Sequence, residues 1–239
     1  MAFKRIEDYG LIGNMHTAAL VGNDGSIDWL CLPFFDSPAV FNSLLDDEKG
    51  GSFLITAIDS VDHRQIYFPE TNVLITRFGS DDSAAQVTDF MPVHEQHDEA
   101  AGPAQYAFEN LTGEEARVVR IAQGVLGETT MQMKCQPAFN FASDPHRVEK
   151  SRDGVIFTSE SGERLSLTAP CEFQIENGAA LAEFTLSYGE SMPFVLERMG
   201  PKIETPTCLT AEQADGQFRH TVDFCRDWVS KCTYQRRRR

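Results

Sequence analysis

The stretch Tyr9–Phe41 carries the densest set of side chains able to do chemistry. Asp28 and Trp29 set a carboxylate beside an indole, with His16 upstream and Asp36 just downstream. An indole face stacks on a sugar ring or another apolar ligand, and nearby carboxylates orient hydroxyls. Apolar walls with a few polar groups are the usual make-up of a small-molecule pocket. The same residues also admit a structural reading. Trp29 then serves as a core aromatic, and Asp28 and Asp36 fix turns, with Asp36 also favouring the start of a helix at Ser37-Pro38.

Other reactive groupings are sparser. His94-Glu95-Gln96-His97-Asp98-Glu99 has the spacing H-E-x-H. It lacks the H-E-x-x-H spacing that puts two imidazoles on one helix face. Its flanking Met91-Pro92 and Gly102-Pro103 mark a loop, read either as a solvated acidic segment or as an adventitious metal site. No G-x-S-x-G nucleophile motif is present, and Gly10-Leu11-Ile12-Gly13 lacks phosphate-loop spacing. The six cysteines, at 31, 135, 171, 208, 225 and 232, form no C-x-x-C pair. Cys31, Cys135 and Cys171 lie in apolar runs and read as small buried hydrophobes. No metal, no cofactor and no catalytic residue is therefore expected in this chain.

Positioning these groups requires a scaffold, and strand signals dominate. Asn23-Asp24-Gly25 separates the apolar runs Thr17–Val21 and Ile27–Leu32, which predicts a β-hairpin. Phe184, Leu186 and Tyr188 alternate with Thr185 and Ser187, as in a half-buried strand. Strands are expected near 16–22, 26–32, 52–58, 64–68, 72–79, 85–91, 104–110, 117–124 and 129–136. Further strands are expected near 154–159, 163–169, 172–176, 180–188 and 191–198. Many short strands with polar turns predict an all-β fold, a large antiparallel β-sandwich. Two helices are expected. A short one covers 38–45. A C-terminal, linker-type helix covers about 211–231, where Phe218, Val222, Cys225 and Val229 share a face. The expected organisation is a sandwich over 1–200, followed by a linker and helix over 201–239.

Composition narrows the partners. The net charge of −15 arises from 36 acidic against 21 basic residues. That excludes nucleic acid, whose binding rests on Lys and Arg neutralising phosphates, and an anionic membrane surface. No apolar secretory leader follows Met1, and no run approaches a membrane span. A reducing, cytoplasmic setting is expected.

Several stretches, in order along the chain, resemble one family. After Tyr9–Phe41 come Tyr67-Phe68-Pro69-Glu70-Thr71-Asn72-Val73-Leu74 and Val87-Thr88-Asp89-Phe90-Met91-Pro92. Cys135-Gln136-Pro137-Ala138-Phe139 and Trp228 with Cys232-Thr233-Tyr234-Gln235 follow. Together they resemble the N-terminal, trehalase-like domain of the trehalase/glucoamylase-like proteins of glycoside hydrolase family 15. The resemblance implies a β-sandwich and a helical linker ahead of a larger catalytic α/α toroid that carries the acid and base glutamates. Glycoside hydrolysis needs such a carboxyl pair. No residue here matches those positions, so no glycosidase activity is expected from this chain alone.

The sequence departs from that pattern in places. Phe34 stands where the family usually has Arg, which adds Phe34 to His16, Asp28, Trp29 and Asp36 as candidate ligand-contact residues. Cys225 replaces an aromatic, and Phe141-Ala142 replaces a tyrosine-glycine pair. Arg236 to Arg239 replace Gly-Arg-Trp-Arg. Two functions follow as expectations. One is a non-catalytic accessory domain that supports the toroid and shapes its active-site entrance. The other is a stand-alone sandwich that binds a small apolar molecule, either as a binding protein or as a cyclase- or isomerase-type enzyme acting by substrate positioning. A deep pocket lined by Trp29 and phenylalanines favours the second; a flat exposed apolar patch favours the first.

Overall fold

The structure is a computed structural model and describes residues 4–58, 60, 62–93, 116–200, 206 and 208–233. Its strands in chain order begin with β1 Tyr9–Gly13, β2 Ala18–Gly22, β3 Ser26–Cys31, β4 Ala39–Phe41 and β5 Ser52–Ala57. Next come β6 Asp62–Tyr67, β7 Leu74–Gly79, β8 Ala84–Phe90, β9 Arg117–Leu126 and β10 Glu128–Gln136. The remainder are β11 His146–Ser151, β12 Gly154–Ser159, β13 Arg164–Thr168, β14 Gln174–Glu176, β15 Ala179–Ser187 and β16 Ser191–Arg198. Helical segments are α1 Phe139–Ala142 and α2 Ala211–Ser230.

The strands form two sheets, as the all-β reading expects. One has the order β1-β2-β3-β5-β10-β15-β14, with β4 paired to β3; the other has the order β11-β12-β13-β16-β9-β8-β7-β6. The main core lies between them. Inward positions include Met131, Met133 and Cys135 on β10, Phe184 and Leu186 on β15, and Val118 and Ala122 on β9. A third layer is α2, which covers the other face of the second sheet. There Val222 and Phe218 meet Val73, Phe90, Val119 and Val195. Phe218 packs edge-on against Phe68 and Phe90, at centroid distances of 5.3 and 6.0 Å. The helix begins with a capping box, Thr210 accepting from Gln213 N and Gln213 accepting from Thr210 N, which satisfies two otherwise unpaired donors.

An ion pair with no exposed surface spans the core. Arg120 on β9 donates from Nε to Asp89 Oδ1 on β8 at 2.7 Å. The rest of the guanidinium reaches the facing sheet. It donates from Nη1 to the carbonyl of Phe53 and from Nη2 to the carbonyl of Gly25 at 2.6 Å. Its charge also lies 4.7 Å from the Phe53 ring centre. Desolvating two charges costs several kcal/mol per ion, so such a pair is tolerated only when its hydrogen bonds are filled. Gly25 takes φ +87°, and a Cβ there would lie 2.1 Å from the Ile55 carbonyl oxygen. The turn must therefore carry glycine, and its carbonyl is aimed at Arg120 as a consequence.

The expected helix over 38–45 is not formed. Ala39–Phe41 is extended and pairs with β3, Leu30 opposite Phe41 and Cys31 opposite Ala39. Ser37 Oγ accepts from Phe34 N and closes a turn rather than capping a helix. Burial decides the outcome. Ala39, Val40 and Phe41 are all in the core, and Val40 O accepts from Ala138 N of another segment. Strands β1, β4 and β11 escape the sequence reading; β11 is polar and β4 is only three residues long. The expected strand at 104–110, the His94–Glu99 cluster and the terminal arginines lie outside the described residues.

Asp89→Ala is expected to destabilise the fold by about 3–5 kcal/mol in equilibrium denaturation, because it strands a buried guanidinium. The double substitution Asp89→Leu with Arg120→Met should recover much of that loss. A loss below 1 kcal/mol for Asp89→Ala would contradict the bridging role.

Candidate functional site

Asp28 sits at a β-bulge. Between β2 and β3, Leu20 faces Trp29 and Val21 faces Ile27, leaving Asp28 as the extra residue. A bulge re-aims side chains. Here Ile27 and Leu30, three apart, both enter the core. Asp28 and Trp29 are consecutive, and neither joins that core.

Asp28 is held by groups from the N-terminal segment. Its Oδ2 accepts from Lys4 Nζ at 2.6 Å and from Tyr9 OH at 2.8 Å. Lys4 also pairs with Asp24 Oδ2 at 2.9 Å and donates to Ser26 Oγ. Burial works to raise the Asp24 carboxyl pKa, but the Lys4 hydrogen bond and charge, with Ser26, outweigh it and hold Asp24 below its ordinary value. Burial, and then the Asp28 carboxylate, push the Tyr9 phenol well above its ordinary value. Asp28 is thus committed as an acceptor on the sheet and ties down residues 4–9.

Trp29 anchors a different feature. Leu11 faces Leu20 and Leu20 faces Trp29 across β1, β2 and β3. Directly paired residues share one sheet face. The Trp29 ring then meets Phe141 at 6.3 Å. This apolar row crosses the outer face of the first sheet, with Leu11 53% and Phe141 50% exposed. Tyr67 flanks it, its OH donating to Leu11 O at 3.1 Å and accepting from Leu11 N at 2.8 Å.

The other candidates lie in loops beyond the ends of these strands. His16 is half-buried between β1 and β2, and burial lowers its imidazole pKa. Its carbonyl accepts from Phe35 N at 3.0 Å, which brings it beside the segment holding Phe34 and Asp36. Phe34 is half-buried and Asp36 exposed. The structure therefore yields two groups, Asp28 with Trp29 in mid-strand and His16 with Phe34 and Asp36 in adjoining loops.

The shared motifs do structural work around this face. In Tyr67–Leu74, Asn72 donates to Gly13 O at 2.6 Å and accepts from Cys225 of α2, while Thr71 OH donates to Phe68 O at 2.8 Å. One loop thereby latches both β1 and the helix. In Cys135–Phe139, the backbone turns into α1, where Asn140, Phe141 and Ala142 have φ of 49°, 58° and 62°. The left-handed region suits glycine. The tyrosine-glycine pair that the resemblance leads one to expect at Phe141-Ala142 would fit this turn without strain. Sequence reasoning passed over Lys4, Tyr9 and Arg120. The one available signal was Arg120 itself, a charge inside the apolar run Val118-Val119-Arg120-Ile121, which demands a partner. Among the described residues no three His, Cys, Asp or Glu side chains gather as a metal site. No described helix is long and apolar enough to cross a membrane.

With sandwich, helix and site in place, the comparisons give the class. The family model "Trehalase-like, N-terminal" matches residues 2–220, and the chain belongs to that family. It is 31% identical over 236 residues to a trehalase of Thermoplasma volcanium, covering 97% of this chain and 35% of that protein. It is 32% identical over 221 residues to a trehalase of Thermoplasma acidophilum, covering 90% and 34%. A trehalase of Mycolicibacterium smegmatis is 26% identical over 246 residues, covering 95% and 35%. The chain thus spans about a third of the length of these relatives.

Two outcomes follow from this geometry. Ala142→Gly should stabilise the fold by about 1 kcal/mol, since glycine enters the left-handed region without a Cβ clash; a lower melting temperature would contradict the strain. The raised Tyr9 pKa means that the folded state keeps this proton after the unfolded state loses it. Stability from Tyr9 is fully present below about pH 10 and is lost as pH rises through the folded value. Denaturation midpoints measured from pH 8 to 11.5 should fall less steeply in Tyr9→Phe than in the parent.

Proposed function

We propose that this domain is the non-catalytic N-terminal part of a carbohydrate hydrolase of the trehalase/glucoamylase kind, glycoside hydrolase family 15. In this reading it docks a separate catalytic domain and helps form the entrance to its active site. The observation that carries the reading is the match along almost the whole chain to only a third of proteins named trehalase. The apolar row Leu11–Leu20–Trp29–Phe141 supports it, because a contiguous apolar strip on an open sheet face is the mark of an interaction surface.

Residues 201–239 act as the connection to the catalytic part, with α2 anchored on the sandwich at its first half. Beyond Val222 the helix presents the stacked pair Phe224 and Trp228, whose centroids are 6.5 Å apart, and Trp228 is half exposed. His16, Phe34 and Asp36, in loops beyond the strand ends, are then candidates for the rim of that contact. Asp28 positions the N-terminal segment rather than touching a ligand. The free thiols suit a reducing compartment such as the cytosol. Binding of a small apolar molecule as the main role is not favoured. Trp29 and Phe141 lie on an open face, whereas that reading calls for an enclosed aromatic pocket.

A chimera tests the proposal. This chain replaces the matching third of the Thermoplasma volcanium trehalase, and trehalose hydrolysis is measured. Retained hydrolysis, lowered about tenfold or more by Trp29→Ala with Phe141→Ala while the domain stays folded, supports docking through this face. Unchanged hydrolysis in the double variant speaks against it.

A further inference from the structure

The two sheets end in β1, β14, β11 and β6, and an open strand edge is a template for another chain. Tyr67 and Asn72 close β1 by bonding to Leu11 and Gly13. β14 is only three residues long. β11 neutralises Arg147 through Glu149 at 3.2 Å. β6 stays open: of Asp62–Tyr67, five residues are exposed and Gln65 is half-buried.

The β6 backbone presents unused hydrogen-bonding groups. Phe68 N donates to Val73 O at 2.8 Å, next to the register that pairs Ile66 with Ile75 and Arg64 with Arg77. In an antiparallel ladder only alternate residues exchange bonds with the neighbouring strand. His63, Gln65 and Tyr67 therefore turn their N–H and C=O groups away from β7, towards the free edge. No other backbone group meets them among the described residues.

The side chains of the same edge carry an unbalanced charge. Register sets Arg64 directly opposite Arg77, and like charges so placed are destabilising. Arg77 donates from Nε to Gln86 Oε1 at 3.3 Å, and Gln86 donates from Nε2 to Gln123 Oε1 at 3.0 Å. That row orients Arg77 and leaves its terminal fork open. Arg64 has no polar partner among the described residues. The pair of cations is thus matched by nothing in a chain whose net charge is −15. Repulsion from its distant acids is screened beyond about 8 Å at physiological ionic strength. Ile66, 42% exposed, follows Arg64 on the same face.

These features select an occupant. A second copy fits poorly. Antiparallel pairing of His63 with Gln65 of another copy sets Arg64 against Arg64, and pairing of Gln65 with Gln65 sets Arg64 against Ile66. The register centred on His63 brings Asp62 to Arg64, but it overlaps only half of β6. A carboxylate on an unrelated strand meets no such conflict.

We propose that β6 is a docking edge for an extended acidic segment of a partner protein. The segment adds as a ninth strand to the second sheet and sets a carboxylate against Arg64, with the Arg77 charge behind it. Main-chain bonds to His63, Gln65 and Tyr67 supply affinity, and alternate side chains supply selectivity. This edge is separate from the Trp29 face, so the inference stands or falls independently of docking there.

The test uses two blocked heptapeptides, Thr-Ile-Glu-Val-Glu-Val-Thr and the same peptide with lysine for both glutamates. Each is titrated into the full ¹⁵N-labelled chain, and amide shifts and hydrogen exchange are followed. The acidic peptide should give saturable shifts along Asp62–Tyr67, with a dissociation constant on the order of 100 µM. It should also slow exchange at His63, Gln65 and Tyr67. The lysine peptide should bind at least tenfold more weakly. Arg64→Glu, an exposed change, should weaken the acidic peptide about tenfold and leave the melting temperature unchanged. Absent or non-saturable shifts overturn the proposal, as does equal binding of both peptides or unchanged affinity in Arg64→Glu. Shifts without slowed exchange overturn strand addition. The same slowed exchange in concentrated chain without peptide overturns the acidic partner in favour of a second copy.

Discussion

An arginine with no exposed surface stands between the two sheets, and its guanidinium is shared by both. Asp89 neutralises it from the neighbouring strand, while the carbonyls of Phe53 and Gly25 receive its remaining donors from the facing sheet. A buried charge of this kind tolerates little displacement, because each lost hydrogen bond leaves a donor in a medium of low dielectric. The spacing and rotation of the sheets are thereby tied to the β2–β3 turn. That turn in turn requires glycine, since Gly25 approaches the Ile55 carbonyl too closely for any side chain. The hairpin that carries Asp28 and Trp29 is thus positioned from inside the core.

The family motifs follow the same logic. In Val87–Pro92, alternate residues serve opposite layers. Val87 and Asp89 face the core between the sheets, and Phe90 faces α2. In Tyr67–Leu74, one loop holds β1 through Tyr67 and Asn72 and holds the helix through Phe68 and Asn72. In Cys135–Phe139, the end of β10 meets Val40 and turns left-handed to bring Phe141 onto Trp29. These are joints between elements, and their residue types answer to geometry and burial.

The outer face of the first sheet is what the joints leave available. Leu11, Leu20, Trp29 and Phe141 come from three strands and a distant turn, and they align because register places them on one face. The Asp28 carboxylate beside them is satisfied by Lys4 and Tyr9. That arrangement leaves the face an apolar centre beside a carboxylate that is already paired.

The local sequence determined what depends on short-range preference. Short apolar runs between polar turns marked most of the strands, with clear alternation at Phe184–Tyr188; Asn23-Asp24-Gly25 marked the turn, and the 3.6-residue spacing of Phe218, Val222 and Cys225 marked the helix. The ordered motifs pointed to the family, and the family model agrees. Tertiary structure decided the rest. Ser37-Pro38 carries a helix-start signal, yet Ala39–Phe41 became a strand because all three side chains were needed in the core beside β3. Asp28 and Trp29 look like a ligand platform in one dimension. A one-residue bulge and the return of Lys4 and Tyr9 made one a structural acceptor and the other part of an apolar row. Sequence pattern reports periodicity within a segment. Which segments meet, and so which polar groups are satisfied, is settled only when distant strands compete for the same core.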